Sequence, residues 1–139
     1  MLKQDKYKKN SSIDLTVIIP FYNSKNKIKN LINFYLKLIK YQNIEIIFID
    51  DGSNDGGFSF LKKKFHKITN IKIIKNINNL GPGIARNKGI RLAKGNKILF
   101  LDCGDKLFIK NLLLLIKKYK HLSNNVTFNK VRNTTKHNN

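Results

Sequence analysis

The chain has 139 residues and a formal net charge of +20, with 28 lysine and arginine residues against 8 acids. This length fits one domain with a buried core, and the 41% hydrophobic content excludes a disordered basic tail. Because 25 of the basic residues are lysine, accompanied by 20 Ile and 20 Asn, part of the charge reflects an A/T-rich coding bias. We therefore do not take the charge as a sign of specific nucleic-acid binding.

The cysteine content and the apolar runs bear on the compartment. Cys103 is the single cysteine and permits no internal disulfide, which is typical of a reducing compartment. The longest apolar run, residues 112–116, falls far short of the roughly 20 residues that a membrane span needs. The N-terminus is polar and lacks the apolar core of a signal peptide. We expect a cytoplasmic protein, and a peripheral contact with the inner face of a membrane stays open.

Strand and helix patterns alternate from the start of the chain. Residues 15–19 and 44–49 are β-branched runs without alternation, which predicts two strands covered on both faces. The first run ends at Pro20. Between the runs, residues 28–39 carry apolar side chains at three- and four-residue steps, the pattern of an amphipathic helix. A short helix over residues 57–65 and a third strand over residues 71–74 follow.

The second half of the chain continues this alternation. A helix is predicted from about Pro82, a residue that a first turn tolerates, toward a stop at Gly95. The remaining predicted elements are a strand over residues 97–101, a helix over residues 107–122 and a strand over residues 126–131.

These elements predict one domain over residues 15–131, between a disordered basic N-terminus (residues 1–14) and a polar tail (residues 132–139). The expected fold is α/β, with a mostly parallel sheet and helices on both of its faces in three layers.

Acidic residues gather where the predicted strands end. Five of the eight acids are aspartates in these loops, namely Asp50, Asp51, Asp55, Asp102 and Asp105. Ligands of open parallel sheets bind beyond the carboxyl ends of the strands, where carboxylates can accept hydrogen bonds or hold a divalent cation. The alternative for Asp50, Asp51, Ser53 and Asp55 is ordinary turn chemistry. The alternative for Asp102 and Asp105 is a cap on the helix predicted near Leu107.

Other motifs point away from several classes of site. Gly81-Pro82-Gly83 does not begin a dinucleotide-binding fingerprint, because the third glycine of that pattern would have to stand where the sequence has Arg86. A phosphate-binding P-loop sequence is also absent. Arg86 lies near a predicted helix start, where it could reach a phosphate or remain a solvated arginine. The three histidines have no metal-ligand spacing; they are His66, His121 and His137. Cys103 has acids as neighbours, so we expect no nucleophile there.

Five segments in this order resemble the N-terminal half of family 2 glycosyltransferases, which are inverting, nucleotide-sugar-dependent enzymes with a Rossmann-like GT-A fold. The segments are residues 17–23 (VIIPFYN), 46–55 (IIFIDDGSND), 81–90 (GPGIARNKGI), 93–95 (AKG) and 100–105 (FLDCGD). The resemblance implies a nucleoside-diphosphate sugar as donor, with a UDP-sugar as the first expectation. It also implies a glycan or glycolipid acceptor and a role in cell-surface polysaccharide or glycolipid synthesis.

The resemblance implies roles for residues that follow the first two strands. Pro20 and Tyr22 would line the nucleotide base, and Asn23 would be a nucleotide-binding residue beside them. Asp51 would accept a hydrogen bond from the base, with Asp50 supporting the same loop.

Later residues are assigned to the diphosphate by the same resemblance. Arg86 and Asn87 would belong to a loop–helix element that closes on the nucleotide. Asp102 stands at the first acid of the family's D-x-D motif, which places Mn²⁺ or Mg²⁺ against the diphosphate. Gly104 occupies the position of the second acid, so either Asp105 substitutes for it or the metal site lacks a ligand.

The fold is expected to be truncated relative to the family. Family members supply an acceptor site and a catalytic base from a further half domain, and no residue here is assigned as that base. A missing general base removes a contribution of roughly 10²- to 10⁴-fold. An active glycosyltransferase and a non-catalytic remnant or nucleotide-binding subunit both stay open. A basic nucleic-acid or membrane-surface module ranks last, because it needs none of the loop aspartates.

Overall fold

A computed structural model of the protein describes residues 13–119. In this range the elements are β1 (Leu15–Phe21), α1 (Lys25–Leu38), β2 (Ile44–Asp50), α2 (Gly57–Phe65), β3 (Ile71–Lys75), α3 (Pro82–Leu92), β4 (Lys97–Phe100) and α4 (Ile109–Lys118). The predicted order of these elements is confirmed. The predicted strand over residues 126–131 and the predicted tail lie outside the described residues, as does the N-terminal segment up to residue 12.

The four strands form one sheet in the order β3-β2-β1-β4, and every pair within the described range is parallel. Side chains of α1, α2 and α4 pack on one face, where Tyr35 and Phe48 meet edge to face with 5.1 Å between ring centroids. On the other face, Ala85 and Ala93 pack with Ile18 and Ile47 of the sheet. Helices therefore cover both faces, which confirms the predicted α/β architecture in three layers.

β1 continues through Pro20 to Phe21, beyond its predicted end. The carbonyl of Ile18 accepts the N–H of Leu101 at 3.0 Å, so the backbone N–H and C=O of Ile18 point toward β4. Alternate residues of a strand face the same neighbour, which places the nitrogen of Pro20 on that side too. β4 pairs with β1 only as far as Ile18, so the missing N–H of Pro20 removes no ladder hydrogen bond.

The helix starts also differ from the predictions. α1 begins at Lys25, three residues before the first apolar position of its pattern. The prediction started later because residues 25–27 carry no apolar signal. α4 begins at Ile109, after Phe108 in an extended conformation that provides no side-chain cap. The first turn of α4 holds no acid. The alternative that Asp102 and Asp105 cap this helix is therefore wrong.

A buried polar network at the amino end of the sheet fixes β4 beside β1. Thr16 Oγ1 donates to Glu45 Oε1 at 2.7 Å and accepts the N–H of Gly95 at 2.9 Å. Lys72 Nζ lies 3.6 Å from Glu45 Oε2. A Cβ at Gly95 would come within 2.5 Å of the Thr16 nitrogen, so the close approach requires glycine.

Among the helices of residues 13–119, none has the length and apolar content to cross a bilayer.

Candidate functional site

The loops after β1 and β2 are joined at the carboxyl edge of the sheet. The N–H of Asn23 donates to Ser53 Oγ at 2.9 Å, and Asn23 Oδ1 accepts the N–H of Asn54 at 3.0 Å. Asn23 has a φ of +45°, a conformation that asparagine tolerates better than most residues. The predicted nucleotide residue Asn23 therefore shapes the junction of the two loops.

Two of the loop aspartates, Asp50 and Asp55, accept hydrogen bonds from backbone N–H groups. This is the turn chemistry that the sequence analysis gave as the alternative for this segment. Asp55 Oδ2 accepts the N–H of Lys25 at 2.7 Å, and its Oδ1 accepts that of Gly57 at 2.9 Å, so one carboxylate caps the starts of α1 and α2. Asp50 Oδ1 accepts the N–H of Ser53 at 2.8 Å. These three hydrogen bonds fix the loop after β2 at the carboxyl edge of the sheet.

Asp50 also holds a buried negative charge close to Lys75. Its carboxylate is fully buried, and Oδ2 has no hydrogen-bond partner among residues 13–119. Lys75 Nζ lies 3.7 Å from this oxygen and donates to the Ser53 carbonyl at 2.8 Å. Lys75, which the sequence patterns did not single out, thus compensates the charge of Asp50 and braces the loop.

The carboxylate of Asp51 holds the loop that precedes α3. Oδ1 accepts from Asn76 Nδ2 at 2.8 Å and from the N–H of Leu80 at 3.0 Å, while Oδ2 accepts the N–H of Gly81 at 2.7 Å. Burial raises the pKa of Asp51, but these hydrogen bonds outweigh burial and leave the pKa below its ordinary value. Asp51 is buried, with 3% of its surface exposed, so its carboxylate joins the loop after β2 to the loop before α3 from within the protein.

Asn76 extends this network to α3. The residue is 5% exposed, and its Oδ1 accepts a hydrogen bond from Lys88 Nζ at 2.7 Å. Asp51 on the β2 loop is therefore connected through one amide to the helix that carries Arg86. The sequence patterns missed Asn76 and Lys88, because neither stands out in a chain with 20 Asn and 25 Lys.

Arg86 and Asp102 contact each other across the candidate site. Arg86 Nη2 donates to Asp102 Oδ1 at 2.7 Å, and the guanidinium carbon lies 6.0 Å from the centroid of the Phe100 ring. The Asp102 side chain is 64% exposed and that of Arg86 33%. The structure thus pairs the predicted phosphate-binding cation with the predicted metal-binding acid at a surface open to a ligand.

The loop after β4 turns tightly behind Asp102. The N–H of Asp105 donates to the Asp102 carbonyl at 3.0 Å, and Gly104 has a φ of +105°, which disfavours any side chain. Burial raises the pKa of the Cys103 thiol to about 11, so the thiol stays protonated at neutral pH.

The remaining predicted residues differ in exposure. Pro20 is buried within β1, whereas Tyr22 is 48% exposed just beyond the strand. Asn87 is exposed on α3, next to Arg86. Tyr22 is therefore accessible to solvent at the carboxyl end of β1, and Pro20 is part of the buried strand that precedes it.

The capacity of this edge for a divalent cation rests on two carboxylates. Within residues 13–119, no group of three or more histidine, cysteine or acidic side chains is placed to hold a metal ion. Asp102 and Asp105 are both exposed. One or two carboxylates suffice for Mg²⁺ when substrate phosphates supply the other ligands, so these residues fit a cation shared with a diphosphate and not an all-protein cage.

Comparisons of the chain with a family model and with curated proteins agree on one family. The family model for glycosyl transferase family 2 matches residues 16–138. The poly(ribitol-phosphate) beta-glucosyltransferase of Bacillus spizizenii is 31% identical over 120 residues, which are 85% of this chain and 19% of that protein.

Solved structures share the fold. That of S. aureus TarS 1–349 in complex with UDP-GlcNAc has a TM-score of 0.65 at 28% identity, covering 78% of this chain and 32% of that chain. The mannosyltransferase PcManGT from Pyrobaculum calidifontis, in complex with GDP-Man and Mn²⁺, has a TM-score of 0.59 at 23% identity. This alignment covers 69% of this chain and 29% of that one, and it is a likeness of fold alone.

The chain spans a third or less of the length of these proteins. The family match nevertheless covers most of its residues, and its parallel four-stranded sheet with helices matches the fold of structural relatives such as TarS. The chain belongs to glycosyl transferase family 2 and has the GT-A fold.

Proposed function

We propose that the chain binds a nucleoside-diphosphate sugar at the carboxyl edge of its sheet, as part of an inverting glycosyltransferase for polysaccharide or glycolipid synthesis. The contact between Arg86 and Asp102 carries the proposal, since it places an anion-binding guanidinium beside an exposed acid. The complex of TarS 1–349 with UDP-GlcNAc supports the choice of ligand. The acceptor is a glycan or glycolipid, and its site and a catalytic base are not assigned to residues of this chain.

The base of the nucleotide fits between the loops after β1 and β2. Tyr22, which is 48% exposed two residues after the buried Pro20, would supply an aromatic ring for stacking on the base. A carboxylate oxygen accepts about two hydrogen bonds, so Asp51 Oδ2, which accepts the N–H of Gly81, would accept a ring N–H of uracil if the nucleotide reaches this buried side chain. A UDP-sugar is therefore the first donor to test, with Asn23 and Asp50 holding the loops in place.

The diphosphate fits at the start of α3. A phosphate oxygen would replace the Asp102 carboxylate as the partner of Arg86, with Asn87 exposed beside it. Asp102 would then be free, together with Asp105, to hold Mn²⁺ or Mg²⁺. When bound, such a cation neutralises charge on the departing diphosphate.

Nucleotide binding without sugar transfer is the second candidate. Gly104 favours it, since the second acid of the D-x-D pattern is replaced by a residue with a φ of +105°. A cation held by fewer protein ligands would bind more weakly. In this case the chain would act as a remnant or as a nucleotide-binding subunit.

A thermal-shift experiment on the purified 139-residue chain tests the donor site. We expect UDP with Mn²⁺ to raise the midpoint of unfolding, because a ligand that binds only the folded state stabilises it. Asp102→Asn should remove the Mn²⁺-dependent part of that shift. Asp14→Asn is the matched control, since Asp14 precedes β1 and contacts Asn43 at the amino end of the strands, away from the candidate site. No shift with UDP, GDP or their sugars would contradict the proposal.

Activity separates the two candidates. If UDP and Mn²⁺ raise the midpoint of thermal unfolding but the chain neither hydrolyses nor transfers a UDP-sugar, the result supports nucleotide binding without sugar transfer. Turnover that is lost in Asp102→Asn would support the glycosyltransferase.

A further inference from the structure

A groove of about 510 Å³ lies between the end of α1 and the outer side of α4. We call it the lysine groove. Its apolar part is formed by Ile109, Leu113 and Leu114 of α4 together with Tyr41. None of the candidate site residues lines it, so its chemistry is independent of the donor site.

The outer side of α4 is unusually apolar for a surface helix. Residues 112–116 are consecutive leucines and an isoleucine, of which Leu112 and Ile116 face the core. Leu114 points away from the core and is 57% exposed, and Phe108, just before the helix, is 74% exposed. An amphipathic surface helix normally turns charged or polar residues outward. The outer side of α4 is therefore suited to a partner with an apolar interior.

The charge around this apolar surface has one sign. Four cations line the groove, namely Lys37, Lys40, Lys110 and Lys117, and no acid lines it. Lysine stems lie along apolar surface while their ammonium groups stay in water. Charge complementarity therefore calls for an anionic occupant.

The composition of the groove distinguishes a lipid surface from a protein. Protein interfaces are depleted in lysine and enriched in arginine and aromatic residues. Tyr41 is the one aromatic residue of this lining, and no arginine occurs in it. Lysines around leucine and isoleucine are instead typical of surfaces that bind anionic membranes.

We propose that the lysine groove is a membrane-docking surface that binds bilayers containing anionic lipid. Leu114 enters the interface between headgroups and acyl chains, and the four lysines contact the headgroups. The inference does not rest on the proposed function, since neither the nucleotide site nor its residues take part.

Tryptophan fluorescence offers a direct test, because the chain has no tryptophan of its own. Leu114→Trp places a reporter on the groove, and Ser59→Trp places one on α2, where Lys63 lies one helical turn away. With phosphatidylcholine vesicles that contain a quarter phosphatidylglycerol, we expect a blue shift from Leu114→Trp and none from Ser59→Trp. Pure phosphatidylcholine vesicles should shift neither protein.

Charge variants in the Leu114→Trp protein test the role of the lysines. Replacing Lys110 and Lys117 together with glutamine should weaken vesicle binding about 25-fold, since each lysine contributes about fivefold near an anionic surface. Replacing Lys63 and Lys64 on α2 removes the same charge and should weaken binding several times less. Circular dichroism confirms that each variant is folded.

Four outcomes would overturn the proposal. The first is the absence of a blue shift with anionic vesicles, and the second is an equal loss of vesicle binding in the two double-lysine variants. The third is a shift without vesicles that grows with protein concentration, which would indicate a second copy of the chain. The fourth is a shift produced by polyglutamate but not by vesicles, which would indicate an acidic polypeptide.

Discussion

Arg86 Nη2 lies 2.7 Å from Asp102 Oδ1, although the two residues belong to different elements of the chain. Arg86 is on the first turns of α3, and Asp102 follows β4. A bound diphosphate and its cation would each compete for one member of this pair. Ligand binding would therefore exchange the contact for two new ones, which makes the pair a sensitive place for substitution.

Arg86→Gln should separate ligand binding from stability. An exposed ion pair contributes about 0–1 kcal/mol, so the free energy of unfolding should fall by about 1 kcal/mol at most. The rise in thermal midpoint with UDP and Mn²⁺ should be lost, since the guanidinium no longer reaches a phosphate. Thermal unfolding with and without the ligand measures both effects.

Arg91→Gln is the matched control on the same helix, because Arg91 is exposed and closer to the helix end. It should keep the full ligand-dependent shift. If Arg86→Gln keeps that shift too, Arg86 does not bind the diphosphate.

Asp51→Ala should destabilise the protein in a pH-dependent way. The substitution leaves the buried Nδ2 group of Asn76 and the N–H of Leu80 without these acceptors, whereas the N–H of Gly81 keeps Asn79 Oδ1 at 3.1 Å. Hydrogen bonds to a charged group contribute about 1.5–3 kcal/mol. We expect a loss of at least about 2 kcal/mol at pH 7, measured by urea unfolding.

The sign of the pH dependence follows from the lowered pKa of Asp51. The contribution of the ionised carboxylate is fully present above its unfolded pKa of about 3.9 and is lost as the pH falls through the lower folded pKa. The difference between the wild type and Asp51→Ala should therefore shrink below about pH 4. An unchanged difference at pH 3 would mean that ionisation of Asp51 does not matter for the fold. The exposed Asp105→Ala serves as the control for losing one carboxylate.

The order of elements could be predicted from the sequence because it depends on local apolar patterns. Residues 44–49 are apolar except for Glu45, and every residue of β2 is buried. Boundaries were less predictable where a distant contact decides them. α1 begins at Lys25 because the carboxylate of Asp55, thirty residues away, accepts its N–H.

The candidate site was only partly predictable for the same reason. Strand-end positions identified Asp51 and Asp102, and a predicted helix start identified Arg86, but their partners depend on tertiary contacts. Asn76 lies 25 residues from Asp51, and nothing in its neighbours marks it as buried. The pairing of Arg86 with Asp102 required the placement of α3 next to β4, which no local pattern contains.

Two glycines of α3 should respond to the same substitution in opposite directions. A Cβ at Gly83 would meet no atom within 4 Å, so Gly83→Ala should stabilise the helix by about 0.5–1 kcal/mol through reduced backbone entropy. A Cβ at Gly89 would come within 2.5 Å of Ile18 Cγ2, so Gly89→Ala should destabilise by about 1–3 kcal/mol. Urea unfolding of both variants measures this difference. Similar effects of both substitutions would contradict the close packing of α3 on β1.

Restoring the second acid of the D-x-D pattern tests whether Gly104 limits cation binding. Gly104→Asp places a side chain at a φ of +105°, where it would also meet Lys27 Cδ at 3.2 Å. The strain should cost about 1–3 kcal/mol, seen as a lower thermal midpoint without ligand. A new carboxylate beside Asp102 should at the same time increase the Mn²⁺-dependent part of the UDP shift.

Gly104→Ala isolates the role of the carboxylate in that experiment. It carries a Cβ at the same backbone conformation and supplies no metal ligand, so its midpoint should fall without any gain from Mn²⁺. A larger Mn²⁺ response in Gly104→Asp than in Gly104→Ala would show that the wild-type loop lacks a ligand that the fold can still accommodate. Equal responses would place the cation, if one binds, away from residue 104, because a carboxylate there would then make no contact with it.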